Sequence, residues 1–212
     1  ALPISNFRHD EYGRTAENRT RFPAEVLAAV KQAVGDRLAI IAKINLHDGV
    51  RKGTTVADAI ATARILQSAG ADMLVLSAGR NMESPSVMFG SAMPYDDLAT
   101  MKRGLVAKLQ FAAMKWSTTR PPAFRENYLM DHAEQLRHAL GPERRVKLAF
   151  LGGVQSLDGA RDALRRGFDG IAMARALIND PALIGKWQQG ADAPSGCSAC
   201  NRCVAAMYGP SG

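Results

Sequence analysis

Four groups of residues have the types and spacing to do chemistry. Gly152-Gly153 end the apolar run 146–151, and two glycines at a strand end let the backbone approach an anion closely. The helix expected next would add unpaired N–H groups and the positive end of a dipole. Arg175, just after the apolar stretch 170–174, supplies a permanent cation whose fork matches phosphate oxygens. Lys43 interrupts the Ile-rich run 38–46, read as a strand buried on both faces, where an unpaired ammonium is costly. At the strand's end it could instead face a ligand and stabilise negative charge developing on a cofactor ring. Cys197, Cys200 and Cys203 form a C-x2-C-x2-C run with Asn201 between the last two. Such density suggests metal or iron–sulfur ligation, but a fourth thiolate is lacking and no His follows Cys197, so no metal ligand is assigned.

Each group also has a plainer reading. Gly152-Gly153 can be a tight turn and Arg175 a surface ion pair. Lys43 can snorkel to water or pair with Asp48. His47, one of four scattered histidines, reads as a loop residue bonded to a neighbour. The cysteines read as reduced, packed thiols, and Met82, Met88, Met93, Met101 and Met114 as fillers of an irregular core.

The elements that must position these residues alternate between helical and strand patterns, which signals parallel βα units. Residues 17–34 read as a helix, with Phe22, Val26, Leu27, Val30 and Val34 at helical spacing, Thr15 as N-cap and Gly35 as stop. Thr54 or Thr55 caps a second helix carrying Ala59, Ala63, Leu66 and Ala69, and Gly70 ends it. A strand over 73–76 leads to Ser77-Ala78-Gly79. The long excursion 79–122 follows, with a helix over 96–114 and Pro121-Pro122 at its close; such excursions are usually lids or insertions. Then come a helix over 124–140, the strand 146–151, and a helix from Ser156 or Asp158 to Arg166. The strand 170–174 and a last helix, N-capped by Asp180-Pro181 and running through Trp187, complete the pattern. Four strands with intervening helices make half of a (β/α)8 barrel, in which the strands' carboxyl ends form one ligand-bearing rim.

The length suits one compact unit. The net charge of +7 is spread along the chain rather than gathered into a stripe, so nucleic acid is not the expected partner, and pairs such as Arg144-Arg145 and Arg165-Arg166 read as solvated faces. No apolar run is long enough to span a bilayer. The chain opens on no basic-then-apolar segment and clusters its cysteines late, which together set a cytoplasmic, reducing location as the expectation.

Ser5-Asn6-Phe7-Arg8-His9-Asp10-Glu11-Tyr12-Gly13, followed by Glu17-Asn18-Arg19, resembles the SNxRxDxYGG…ENR signature of the Old Yellow Enzyme family. The order of a strand with a basic residue, a strand ending in Ser-x-Gly, one ending in Gly-Gly and one ending before Arg is similar too. The ending resembles the NADH:flavin oxidoreductase branch, with its long insert and Cys-x-x-Cys-Asn stretch. The resemblance implies the C-terminal half of an FMN-dependent TIM barrel over 1–190, followed by a Cys-containing tail over 191–212. It also implies FMN across the barrel mouth, with Lys43 near the flavin N1 and O2 and with Gly152, Gly153, Ala174 and Arg175 at the phosphate. NADH or NADPH would supply hydride for an activated alkene or related small-molecule acceptor.

The departures from the family pattern are Arg14 for the signature's second glycine, Ala174 for the glycine before the arginine, and a cysteine spacing unlike the C-x2-C-x3-C of iron–sulfur relatives. The family's substrate-binding His/Asn pair and proton-donating tyrosine would lie upstream of Ser5. No catalytic residue is therefore assigned within these residues, and the chain reads as a fragment. Two alternatives stand beside this reading: a non-catalytic half-barrel that dimerises or pairs with a separate N-terminal half, and a phosphate-binding barrel of another chemistry.

Overall fold

The computed structural model describes residues 5–81, 83–101, 105–117 and 123–207. Met82 and Pro121-Pro122 lie outside them. Helix α1, Ala16–Val34, starts where Thr15 Oγ1 accepts from the Asn18 N–H at 3.2 Å and ends at Gly35. Strand β1, Ile41–Asn45, leads to α2, Val56–Ser68, which opens with a reciprocal Thr55/Asp58 capping box. Strand β2, Met73–Ser77, is followed by α3 (Pro85–Phe89), α4 (Tyr95–Met101) and α5 (Leu105–Ser117), the last two helical where a helix over 96–114 was expected. Then come α6 (Met130–Leu140), β3 (Lys147–Phe150), α7 (Leu157–Arg165), β4 (Gly170–Ile171), α8 (Arg175–Asn179), α9 (Leu183–Gln188) and α10 (Arg202–Ala206).

The four strands form one parallel sheet in sequential order. Its register places Lys43, Val75, Ala149 and Gly170 side by side. Because side chains alternate along a strand, these share one face, and Ala42, Ile44, Leu74, Leu76, Leu148 and Phe150 share the other. The second face is the core: Leu74, Leu76, Leu148 and Phe150 are fully buried in one cluster with Ala63 and Leu66 of α2 and Ala133 and Leu136 of α6. On the first face Ile41 is 60% exposed and Lys43 is exposed. β1 is therefore not buried on both faces as its apolar run suggested. Among the described residues helices cover one side of the sheet, and an uncovered inner face is what the half-barrel reading of four βα units implies.

Two further boundaries move for local reasons. The helix expected over 124–140 begins only at Met130, because Asn127 adopts a left-handed conformation (φ 56°) and Glu126 is drawn to α7. Asp180 does not cap a continuous last helix. It joins α8 to α9, its carboxylate accepting from the Ala182 N–H at 3.2 Å and from Lys186 Nζ at 2.7 Å.

Candidate functional site

A cavity of about 160 Å³ opens where the strands end, and Lys43, Tyr128, Gly153, Ala174 and Arg175 are among its walls. Four of the five residues singled out for cofactor binding thus meet at one place. The fifth, Gly152, lies behind the wall. It is buried, its carbonyl accepts from the Tyr128 N–H at 2.9 Å, and a Cβ there would come within 2.4 Å of the Phe150 ring. Gly152 therefore allows close packing of the turn over the core, while Gly153 faces the cavity. Gly153 has φ +81°, and a Cβ on it would approach the Phe124 and Tyr128 rings to 2.8 and 2.9 Å, so a side chain would be both strained and crowded there.

The N-terminus of α7 is partly occupied. Glu126 Oε1 accepts from the N–H groups of Gln155 and Ser156, just ahead of the helix, at 2.6 and 2.7 Å, and the Gly159 N–H donates to Ser156 Oγ at 2.9 Å. The first-turn N–H groups of Leu157 and Asp158 have no acceptor among the described residues, so this helix end keeps unpaired N–H groups beside an internal carboxylate. Among the described residues, the N–H groups of Gly153 and Ala174 have no acceptor.

Arg175 is held from one side. Its Nη1 donates to Asn201 Oδ1 at 2.7 Å and its Nη2 to the Phe89 carbonyl at 2.6 Å. The guanidinium carbon lies 5.6 Å from the centre of the Phe89 ring and 5.8 Å from that of Phe124, within range of cation–π attraction. Arg175 makes no ion pair with a described carboxylate, so its charge is uncompensated there, and Nε donates to no described residue. Tyr128, whose hydroxyl donates to the Met88 carbonyl at 2.5 Å, has its pKa raised by burial, with Arg175 opposing in part.

Lys43 does not pair with Asp48. That carboxylate is fully buried and accepts from Asn45 Nδ2 at 3.1 Å and from the Thr54 N–H at 2.7 Å. The ammonium instead stands exposed on the open face of the sheet. His47 stacks on His132, ring centres 4.3 Å apart, and its pKa is lowered by burial and then by His132, against a smaller pull from Asp48. The three cysteines are free thiols, Cys200 being exposed. Cys200 has its pKa lowered, chiefly by a hydrogen bond from Ser198 and then by Arg202. Among the described residues no three His, Cys, Asp or Glu side chains are gathered as a metal site.

Sequence reasoning missed Glu126, Tyr128, Phe89 and Asn201. Glu126, Tyr128 and Phe89 come from segments read as plain helix or insert, which give no local signal. Asn201 was visible within the cysteine run but is silent until folded.

A second, larger cavity of about 530 Å³ runs between α1 and β1, lined mainly by apolar side chains such as Phe22, Val26, Val30 and Leu66. Its Arg19 and Asp58 pair with each other at 3.1 Å, and Lys43 lines this cavity as well as the strand-end one. The strand-end cavity has the uncompensated cation and the unpaired N–H groups.

A parallel α/β sheet with a cavity at its carboxyl edge defines the class of βα proteins in which ligands sit at the strand ends. Residues 1–95 match the model of the NADH:flavin oxidoreductase / NADH oxidase family. The chain is 35% identical over 208 residues to the 4,4'-dithiodibutanoate disulfide reductase of Rhodococcus erythropolis, covering 97% of this chain and 50% of that protein. A solved 2-naphthoyl-CoA reductase shares the fold with a TM-score of 0.69 at 23% identity, covering 94% of this chain and 26% of that one. The Old Yellow Enzyme homologue from Zymomonas mobilis does so with a TM-score of 0.53 at 18% identity, covering 88% and 41%. The chain is thus a relative of the NADH:flavin oxidoreductases, a family of enzymes whose name specifies flavin and a nicotinamide. It spans about half the length of the disulfide reductase. Among the described residues no helix is long and apolar enough to cross a membrane.

Proposed function

We propose that the chain is the FMN-binding, C-terminal half of a (β/α)8 flavin oxidoreductase that takes hydride from NADH or NADPH and passes it to an activated alkene or a related acceptor. The observation that carries this reading is the convergence of Lys43, Gly153, Ala174 and Arg175 on one strand-end cavity. At about 160 Å³ its enclosed part is smaller than the roughly 300–1,000 Å³ of a typical small-molecule pocket. It suits the phosphate end of FMN, leaving the ring to the open face that bears Lys43.

FMN, when bound, supplies the hydride chemistry. Arg175 and the Gly153 and Ala174 N–H groups would hold the phosphate, and the φ of Gly153 keeps that approach clear of a side chain. Lys43 would stabilise negative charge gathered on the ring. Phe89, Phe124 and Tyr128 pack about the cavity and limit water beside Arg175. The similarity to a protein named for reducing a disulfide places small organic disulfides among the acceptors to test.

The test is titration of the protein with FMN and with riboflavin, followed by NADH and NADPH oxidation with cyclohexenone or 4,4'-dithiodibutanoate as acceptor. FMN binding more tightly than riboflavin, and a flavin that NADH or NADPH reduces, are expected. Equal affinity for the two flavins would remove the phosphate site. The exposed Ile41 and the outer edge of β1, which pairs with no strand among the described residues, favour a second reading, in which this half-barrel pairs with another chain or with itself. A monomeric mass in solution would count against it.

A further inference from the structure

The cysteine-rich loop reaches the candidate phosphate site through one side chain. Asn201 stands between Cys200 and Cys203, is 1% exposed, and adopts the left-handed conformation (φ 59°) that asparagine tolerates better than most residues. All of its side-chain hydrogen-bonding directions toward the insert are used. Oδ1 accepts from Arg175 Nη1 at 2.7 Å, while Nδ2 donates to Ser91 Oγ at 2.9 Å and to the Ala92 carbonyl at 2.7 Å. Ser91 Oγ in turn donates to the carbonyl of Ala199 at 2.8 Å, closing a ring between the loop and the segment after α3. Ala199 is also left-handed (φ 54°).

Asn201 therefore bridges two groups with opposite needs. The arginine requires an acceptor, and Ala92 requires a donor. An amide supplies both on one planar group, whereas a carboxylate can only accept and an aliphatic side chain can do neither. With Nη1 turned to Asn201 and more distantly to Ser91 Oγ at 3.4 Å, and Nη2 to Phe89, the guanidinium has its rotation fixed within reach of two aromatic rings, and Nε is left without a described acceptor. We propose that Asn201 is a positioning residue that sets the Arg175 guanidinium for the phosphate of the cofactor, so that the cysteine-rich loop is part of the phosphate site's framework. This rests on the FMN reading above. Asn201 acts through Arg175 rather than by contact with the phosphate.

The experiment compares FMN and riboflavin affinities, by flavin fluorescence, for the protein and for its Arg175→Ala, Asn201→Leu and Asn201→Asp variants. The ratio of the two affinities isolates the phosphate contribution, and a general loss of packing would lower both alike. Asn201→Leu should reduce FMN affinity about tenfold, near the lower end of a charge-assisted hydrogen bond, and leave riboflavin affinity unchanged. Asn201→Asp, nearly isosteric, should reduce the ratio further, because its carboxylate would compete with phosphate for Arg175. Arg175→Ala separates the two ideas. If it leaves the ratio unaltered, the phosphate reading fails and this inference with it. If it lowers the ratio but neither Asn201 variant does, the positioning role alone is overturned. Equal losses of both flavins, or loss of fold in both Asn201 variants, would likewise overturn it in favour of a purely structural role.

Discussion

Arg175 and Lys43 carry the same charge in different settings, so their removal should be read by different measurements. Arg175 is held by Asn201 and Phe89, lies within cation–π range of two rings, and has no described carboxylate partner for its charge. Arg175→Ala should weaken FMN retention by about 1.5–3 kcal/mol, the scale of a hydrogen bond to a charged group, with little effect on riboflavin. Equilibrium dialysis against the two flavins checks it, and an unchanged FMN affinity would take Arg175 out of the site. Lys43 is exposed on the open face, where a charge acts on the difference between redox states more than on binding. Lys43→Met should lower the reduction potential of bound flavin, and potentiometry with no shift would argue against that role. Gly153 offers a third test at this scale. With φ +81° and two aromatic rings standing 2.8 and 2.9 Å from where a Cβ would lie, Gly153→Ala should lose both stability and FMN affinity, whereas substitution at the open Gly185 should do neither.

At the scale of elements, the join between the segment before α6 and the start of α7 depends on one carboxylate. Glu126 takes the N–H groups of Gln155 and Ser156 and accepts from Ser156 Oγ, so Glu126→Ala would leave the two N–H groups just ahead of α7, and the hydroxyl that caps the helix, without their acceptor. A loss of about 1–3 kcal/mol in unfolding free energy is expected by urea denaturation, with a smaller loss for Glu126→Gln, which keeps one neutral acceptor. An unaffected midpoint in Glu126→Ala would show that water replaces the carboxylate without cost. The βα order and the strand positions were legible because apolar periodicity and capping residues such as Thr15, Thr55 and Ser156 are local signals. The late start of α6 was not, since the competition for Glu126 comes from a segment some 30 residues away.

For the whole molecule, the packing of His47 against His132 of α6 links stability to pH. Burial and His132 lower its folded pKa beneath the ordinary 6.5. Between the folded value and 6.5 the unfolded chain takes up a proton that the folded chain refuses. The His47 contribution is therefore level above about pH 6.5, falls as the pH drops below it, and levels off again beneath the folded value. Urea midpoints at about pH 7.5 and 5.5 should diverge more for the protein than for His47→Gln, and equal divergence would place the pH dependence elsewhere. By itself the sequence determined the parallel βα order, the strand-end location of Gly153, Ala174 and Arg175, and the family likeness in the stretch from Ser5 to Arg19, whereas Lys43, expected at a strand end, stands in the middle of β1. These follow from periodicity, glycine chemistry and short motifs, all of which are properties of neighbouring residues. Only the tertiary structure decided that Lys43 stands in the middle of β1, that Gly152 packs on Phe150 while Gly153 faces the cavity, and that Glu126 takes the two N–H groups just ahead of α7. It also joined Asn201 to Arg175. Each of these depends on which distant group reaches a charge or a donor first, and that competition is settled only when the chain has folded.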